Sequence, residues 1–319
     1  MFMDGNFQSL SEIANNDDLS NSITEATIDN FEKLWMENIA QNMETILSSK
    51  SIKDLPKHEG MSAIVIAAGP SIKENHHLKM LRESDFEGII IAVDRMFIPL
   101  LKEGIIPDYI VNADGDRENI HRFFDDPIVD EYAEQIKVIF ATLAPPNAVN
   151  RFKGERYFYN AMIDNPHEKK SITKYIRYLT QKPNINTTGN VGGFGVIFAY
   201  YLKCNPIATI GLNLGYPAGT PFENTYSYLN IRKAYPDMTD EEIYTTFYQE
   251  YFHPYFKTKS YTEPIFSYYK EGLIDAAKYM VLEGYKIINC TEGGILHEDP
   301  IESMWFRDFL STYGRKHNE

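Results

Sequence analysis

Several groups of residues in this sequence are spaced for chemistry. Asp114-Gly115-Asp116 sets two carboxylates one residue apart just after an apolar run. Such a pair can hold Mg2+ or Mn2+ against a diphosphate, although Asp116, before Arg117-Glu118-Asn119, equally suits a helix cap. Gly69-Pro70-Ser71 ends the run MSAIVIAA. Backbone N–H groups at such a strand end can receive an anion, with Pro70 in an early turn position and Ser71 capping the next helix. NTTGNVGG supplies Gly189, Asn190, Gly192 and Gly193 ahead of an apolar segment. A helix starting there offsets negative charge on a ligand, and its glycines also permit close packing on a sheet. For proton transfer the candidates are His253 in YFHPYF, His297 beyond TEGGIL, and Glu292 in TEGG, which can also hold a ligand hydroxyl. Arg95 can meet a carboxylate or phosphate, or sit in a salt bridge.

Other chemistries lack their residues. There is no GxxxxGK[ST] loop, no three-glycine dinucleotide fingerprint and no GxSxG elbow, and the eight histidines match no zinc spacing. The formal net charge of -14 argues against a nucleic-acid groove and leaves room for a small anionic ligand at one local site. Cys204 and Cys290 sit in or beside apolar runs and read as buried thiols in a reducing cytosol. No signal-peptide pattern or bilayer-spanning window is found, so a cytoplasmic protein without a membrane partner is expected. Tyrosine (22) and phenylalanine (19) are frequent, and many lie between Tyr216 and Tyr269. Half-apolar, hydrogen-bonding rings suit a ligand cleft or a subunit contact, which leaves a homo-oligomer open, and they also suit a core.

The elements that must position these groups alternate. Residues 1–22 read as a frayed acidic tail and 23–60 as an amphipathic helical arm with a linker. Residues 61–298 read as one nucleotide-binding transferase domain, and 299–319 as a terminal helix. Apolar runs at Ala63–Ala67, Ile89–Val93, Tyr109–Asn112, Ile136–Ala141, Arg156–Tyr159, Ile207–Gly211 and Tyr285–Asn289 read as strands. Helical stretches fall at Glu74–Glu83, Met96–Glu103, Asn190–Lys203, Asp240–Tyr251 and Pro264–Glu283. That alternation predicts an α/β, Rossmann-like, mostly parallel sheet with helices on both faces. Ligands of such sheets bind beyond the carboxyl ends of the strands, which selects Asp94, Asn112, Asp114, Asn213, Tyr216 and Thr291 as further candidates.

The ordered set GPS, AVDR, PDYIVNADG, TTGNVGG and NCTEGG resembles the family joining motility accessory factors, which glycosylate flagellin, to archaeal 6-hydroxymethylpterin pyrophosphokinase. The likeness runs from about Trp35 to Gly294, more distantly touching bacterial sialyltransferases at Ile66–Ile72. Those enzymes carry Asn where this chain has Ala68 and Asp94, and they share Asn112. The resemblance implies a nucleotide-dependent transferase, first of a nonulosonic acid from its CMP form to a Ser or Thr hydroxyl, with flagellin as a possible acceptor. The alternative it implies is Mg2+-dependent transfer of diphosphate from ATP to a hydroxymethylpterin. A non-catalytic nucleotide-sugar binder is the third reading.

Overall fold

The computed structural model describes residues 16–315, with side chains described from Glu25 onward apart from Ala26. Thirteen strands occur among the described residues: β1 (Lys50–Ser51), β2 (Ala63–Ile66), β3 (Ile89–Val93), β4 (Tyr109–Val111), β5 (Lys137–Ala141), β6 (Glu155–Ala161), β7 (Asn184–Ile185), β8 (Ile207–Ile210), β9 (Tyr216–Pro217), β10 (Gln249–His253), β11 (Thr258–Thr262), β12 (Ile287–Asn289) and β13 (Glu302–Ser303). Ten form one sheet in the order β1-β6-β5-β4-β3-β2-β8-β12-β13, with β7 attached to β6. Every pairing in it is parallel. Parallel strands bury both faces, which is why β2, AIVI, is apolar at every position and fully enclosed.

From β2 the chain steps outward through β3, β4, β5 and β6, then returns to place β8 on the other side of β2. Right-handed crossovers in opposite directions put their helices on opposite faces. The return is made by the helix Val191–Tyr201, which packs over β2, β3 and β8. Its glycines let it lie close: a Cβ at Gly195 would stand 2.6 Å from Val65 Cγ1, and one at Gly192 would stand 2.7 Å from Leu212 Cδ1.

The arm is the helix Asn16–Ser48, so residues 16–22 of the expected tail are helical, while 1–15 lie outside the described residues. Trp35, Ile39 and Ile46 enter the main core, and Phe31 stacks on Trp35. The expected helix over Glu74–Glu83 is two pieces, Ser71–Glu74 and His77–Arg82, parted by His76 at φ 53°. The expected helix over Asp240–Tyr251 stops at Phe247, and the aromatic run beyond it becomes β10. There β9, β10 and β11 form an antiparallel sheet of their own, over a separate small core containing Ile231, Ile243, Phe247, Tyr248 and Tyr261. The terminal helix covers only Phe306–Tyr313, because Glu302–Ser303 is spent on the edge of the main sheet as β13. Cys204 and Cys290 are buried, free thiols. No described helix is long and apolar enough to cross a membrane.

Candidate functional site

The order of strands reverses between β2 and β8, and a crevice at such a point is where open parallel sheets take their ligands. The loop after β2 is joined there to the end of β8. Gly69 N–H donates to Gly211 O at 2.9 Å, and the buried Ser71 hydroxyl donates to Asn213 Oδ1 at 2.9 Å. Ser71 is therefore not the cap expected of it: Pro70 holds the cap position without a side-chain bond, and the hydroxyl ties two strand ends together. The helix Val191–Tyr201 begins over the same place, with Gly192 facing Ala67 and Leu212. Asn190 Oδ1 caps it by accepting Gly193 N–H at 2.9 Å. Gly189, at φ 82°, lies against the ring of Tyr269, where a Cβ would come within 2.6 Å of Cδ1.

Next to this joint lie the acids. Asp94 is buried after β3, where Oδ1 accepts Arg95 N–H and Oδ2 accepts Asn112 Nδ2–H, both at 2.8 Å. Burial pushes its carboxyl up to about 6, against the pull of those hydrogen bonds. Asn112 also donates to Asp114 O, and its buried Oδ1 takes no partner among the described residues. Asp114 is exposed, although protein crowds its carboxyl. That crowding raises its carboxyl above the ordinary value, although Oδ1 accepts Asp116 N–H at 3.1 Å. Asp116 is the N-cap of Arg117–His121: Oδ1 accepts Glu118 N–H and Asn119 N–H, and Oδ2 accepts the Asn119 amide. Partial burial acts to raise its pKa, but these bonds outweigh it and hold the carboxyl below its usual range. Of the expected two-carboxylate metal pair, Asp116 thus has both oxygens engaged as a cap. Among the described residues no three His, Cys, Asp or Glu side chains group to form a metal cage. A single exposed carboxylate, Asp114, does fit a hard cation that keeps water and phosphate oxygens as its other ligands.

The sequence reading missed what holds this acidic loop. Asn38, fully buried on the arm, donates through Nδ2 to Gly115 O at 2.8 Å and to Leu143 O at 3.0 Å, while Oδ1 accepts Arg117 Nε–H at 2.7 Å. Asn42, one turn on, donates to Ala144 O at 2.8 Å. Two asparagines four residues apart on the apolar face of an amphipathic helix were the available signal. Asn38→Ala strands two buried carbonyls, so unfolding free energy should drop by about 2 kcal/mol in a denaturant titration.

Opposite the acids stands the small lobe. Glu263, fully buried before the helix Pro264–Leu282, accepts Tyr216 Oη–H at 2.9 Å and Ser227 N–H at 3.0 Å. Tyr226 N–H in turn donates to Tyr216 Oη at 2.7 Å. Tyr216, a strand-end candidate for the ligand, has its hydroxyl committed to this loop. Crowding by protein raises Tyr226's phenol to about 12, with the charges of Asp114, Glu263 and Asp116 adding. Rings of Tyr226, Phe266 and Tyr269 follow one another at 6.4 and 6.2 Å.

The expected proton-transfer residues are otherwise employed. His253 is buried, with Nε2 on Leu296 O at 3.2 Å and Nδ1 accepting Phe256 N–H at 3.3 Å. Burial lowers it to about 4, so it is neutral near pH 7, with both ring nitrogens engaged by backbone. Its folded pKa lies below the unfolded value of 6.5, so the unfolded chain binds the proton more readily. The stabilisation is complete above pH 6.5 and is lost as pH falls toward 4. The stability gap between wild type and His253→Gln should narrow by about 3 kcal/mol from pH 7 to pH 4. His297 stands 5.5 Å from His253, ring to ring, in the same packing cluster. Glu292 accepts Phe306 N–H at 2.8 Å and lies 3.8 Å from the buried His77 Nε2, so it anchors the terminal helix instead of waiting as a base. Thr291 is sealed, its hydroxyl accepting Leu212 N–H at 3.2 Å.

Residues 37–219, more than half of the chain, match the family model described as 6-hydroxymethylpterin diphosphokinase MptE-like. The chain belongs to the MptE-like family. Within it, 85 residues are 42% identical to the 6-hydroxymethyl-7,8-dihydropterin pyrophosphokinase of Methanocaldococcus jannaschii, covering 26% of this chain and 34% of that protein. The match therefore spans about a third of that relative. Among solved structures, the MAf glycosyltransferase from Magnetospirillum magneticum AMB-1 superposes with a TM-score of 0.58 at 15% identity, over 86% of this chain and 38% of that one. That likeness shows the Rossmann-like fold shared by this MptE-like chain.

Proposed function

We propose that the chain is a transferase that moves diphosphate from ATP to the hydroxymethyl group of a 6-hydroxymethylpterin, which reverses the order of the two readings taken from the sequence. The charge of the cleft carries this choice. A CMP-linked nonulosonic acid brings a phosphate and a sugar carboxylate, which call for cationic partners. At the strand ends the exposed acid is Asp114, beside the capped Asp116 and the buried Asp94, with Arg95 the one exposed cation there among the described residues and Arg117 held by Asn38 and Glu37. A triphosphate delivered with a divalent cation suits that surface, and the 42% identical segment supports the same reading. When bound, Mg2+ screens the phosphate charge, and Asp114 is the residue we assign to hold it.

In this reading the acceptor's hydroxyl oxygen bonds to the β-phosphorus of ATP. The bond from that phosphorus to the α,β-bridging oxygen breaks. AMP leaves with the electron pair, and the hydroxyl proton passes to water. The chain's part is to orient both substrates at the β2/β8 crevice and to exclude stray water. No protein acceptor is required.

The test is release of AMP from ATP and 6-hydroxymethyl-7,8-dihydropterin, with Mg2+ and with chelator. Release that needs the pterin and the cation supports the proposal. Release of CMP from a CMP-nonulosonate in chelator would return the function to glycosyl transfer. Nucleotide binding without turnover of either pair would favour a non-catalytic binder.

A further inference from the structure

We infer that Tyr226 is a substrate-facing residue of the cleft and that the buried pair Glu263 and Tyr216 are positioning residues that hold it there. Glu263 is fully enclosed, yet it lies among tyrosines and backbone amides, with no lysine, arginine or histidine among its hydrogen-bond or charge partners. Enclosing a carboxyl group is costly unless hydrogen bonds answer it. The bonds that answer it all serve one loop. Oε2 takes Ser227 N–H directly, and Oε1 takes Tyr216 Oη–H, whose oxygen takes Tyr226 N–H. Two consecutive amides are thus fixed by one acid, and the residue they carry is Tyr226.

Tyr226 is 55% exposed, although a ring of its size on a lobe with its own apolar core has no need of solvent. The charges of Asp114 and Asp116 act on its phenol. Phe266 backs it, and Tyr269, against Gly189 at the start of the long return helix, extends the row. A row of rings running to the start of that helix suits a planar heteroaromatic, which stacks on them. Resting on the proposed function, that occupant is the acceptor ring, and Tyr226 belongs to the acceptor side of the cleft.

Two measurements test this. The first needs no turnover: nitration of Tyr226 by tetranitromethane, mapped by mass spectrometry, with Mg-ATP, 6-hydroxymethylpterin or CMP as the protecting probe. Protection at least about fivefold by the pterin is expected; protection by CMP alone keeps Tyr226 at the site while the proposed reaction fails, and no protection by any probe overturns the inference. The second is a kinetic cycle. Tyr226→Ala should raise the acceptor KM about tenfold, with the KM for ATP changed less than about twofold. Tyr216→Phe should shift the acceptor KM in the same direction, and Glu263→Gln should do so where Tyr216→Phe folds poorly. Each should add nothing on top of Tyr226→Ala. Additive effects in the double variants would mean that Glu263 and Tyr216 act elsewhere, and would overturn the positioning role.

Discussion

Gly69→Val is expected to lower the unfolding free energy by about 4 kcal/mol, as the sum of overpacking and lost hydrogen bonds. In the sequence Gly69 is only part of a strand-end loop able to receive an anion, and that alone gives no reason for such a loss. The structure points the new Cβ at Gly211 O and Asn213 Oδ1, and neither can retreat cheaply. Gly211 O accepts Gly69 N–H, and Asn213 Oδ1 accepts the Ser71 hydroxyl, so moving either one opens the joint between β2 and β8. Gly69 is a glycine for the sake of close approach between two strand ends. Gly69→Ala should act in the same direction, since the collision begins at Cβ. Denaturant midpoints of the folded variants measure the effect. A Val variant as stable as the wild type would mean that the loop stands clear of β8, restoring the simple ligand-blocking picture.

That contrast marks where the sequence was legible. Strands such as IIIAV and AIVI are short apolar runs rich in β-branched residues, closed by turn residues, and a doubly covered parallel sheet leaves them no other place. Strand order follows from the crossover rule once the elements alternate, so the candidate edge could be named before the structure was seen. What failed was local identity within that edge. Ser71, Thr291, Glu292 and His253 have the side chains of functional residues, but their atoms are taken by strand-end joints, a helix anchor and a core hydrogen bond. Nothing in a linear pattern tells a hydroxyl that faces a ligand from one that ties two loops. The small lobe was illegible for a second reason. TTFYQEYFHPYF carries aromatics on every face, so neither the helical nor the strand period dominates, and the turn into β10 shows only in the fold. Tyr226, Phe266 and Tyr269 come together through that lobe, and no spacing rule could align them.

Asp114→Asn is expected to lower kcat/KM for diphosphate transfer by about 1,000-fold, or ~4 kcal/mol of transition-state stabilisation. Asp116→Asn should cost less than about threefold, because asparagine caps a helix nearly as well as aspartate. The two carboxylates look equivalent in the sequence, and the structure separates them. Asp116 has both oxygens engaged by Glu118, Asn119 and the Asn119 side chain, whereas the exposed Asp114 carboxyl is held only by backbone amides of its own loop. Asn at position 114 still accepts the Asp116 N–H, so the loop should keep its shape and only the charge is lost. The pH profile gives an independent check. Asp114 must be ionised to hold a cation, and crowding raises its carboxyl, so activity should fall as pH drops through a value above the ordinary 3.8. That acid limb should vanish from the residual activity of Asp114→Asn. Initial rates against Mg2+ concentration complete the test, with the half-saturating concentration rising steeply for Asp114→Asn and holding for Asp116→Asn. Equal losses at both positions would make the pair a joint metal site and set aside the capping role of Asp116. Transfer that chelator leaves untouched would remove the cation from the reaction and, with it, the diphosphate reading.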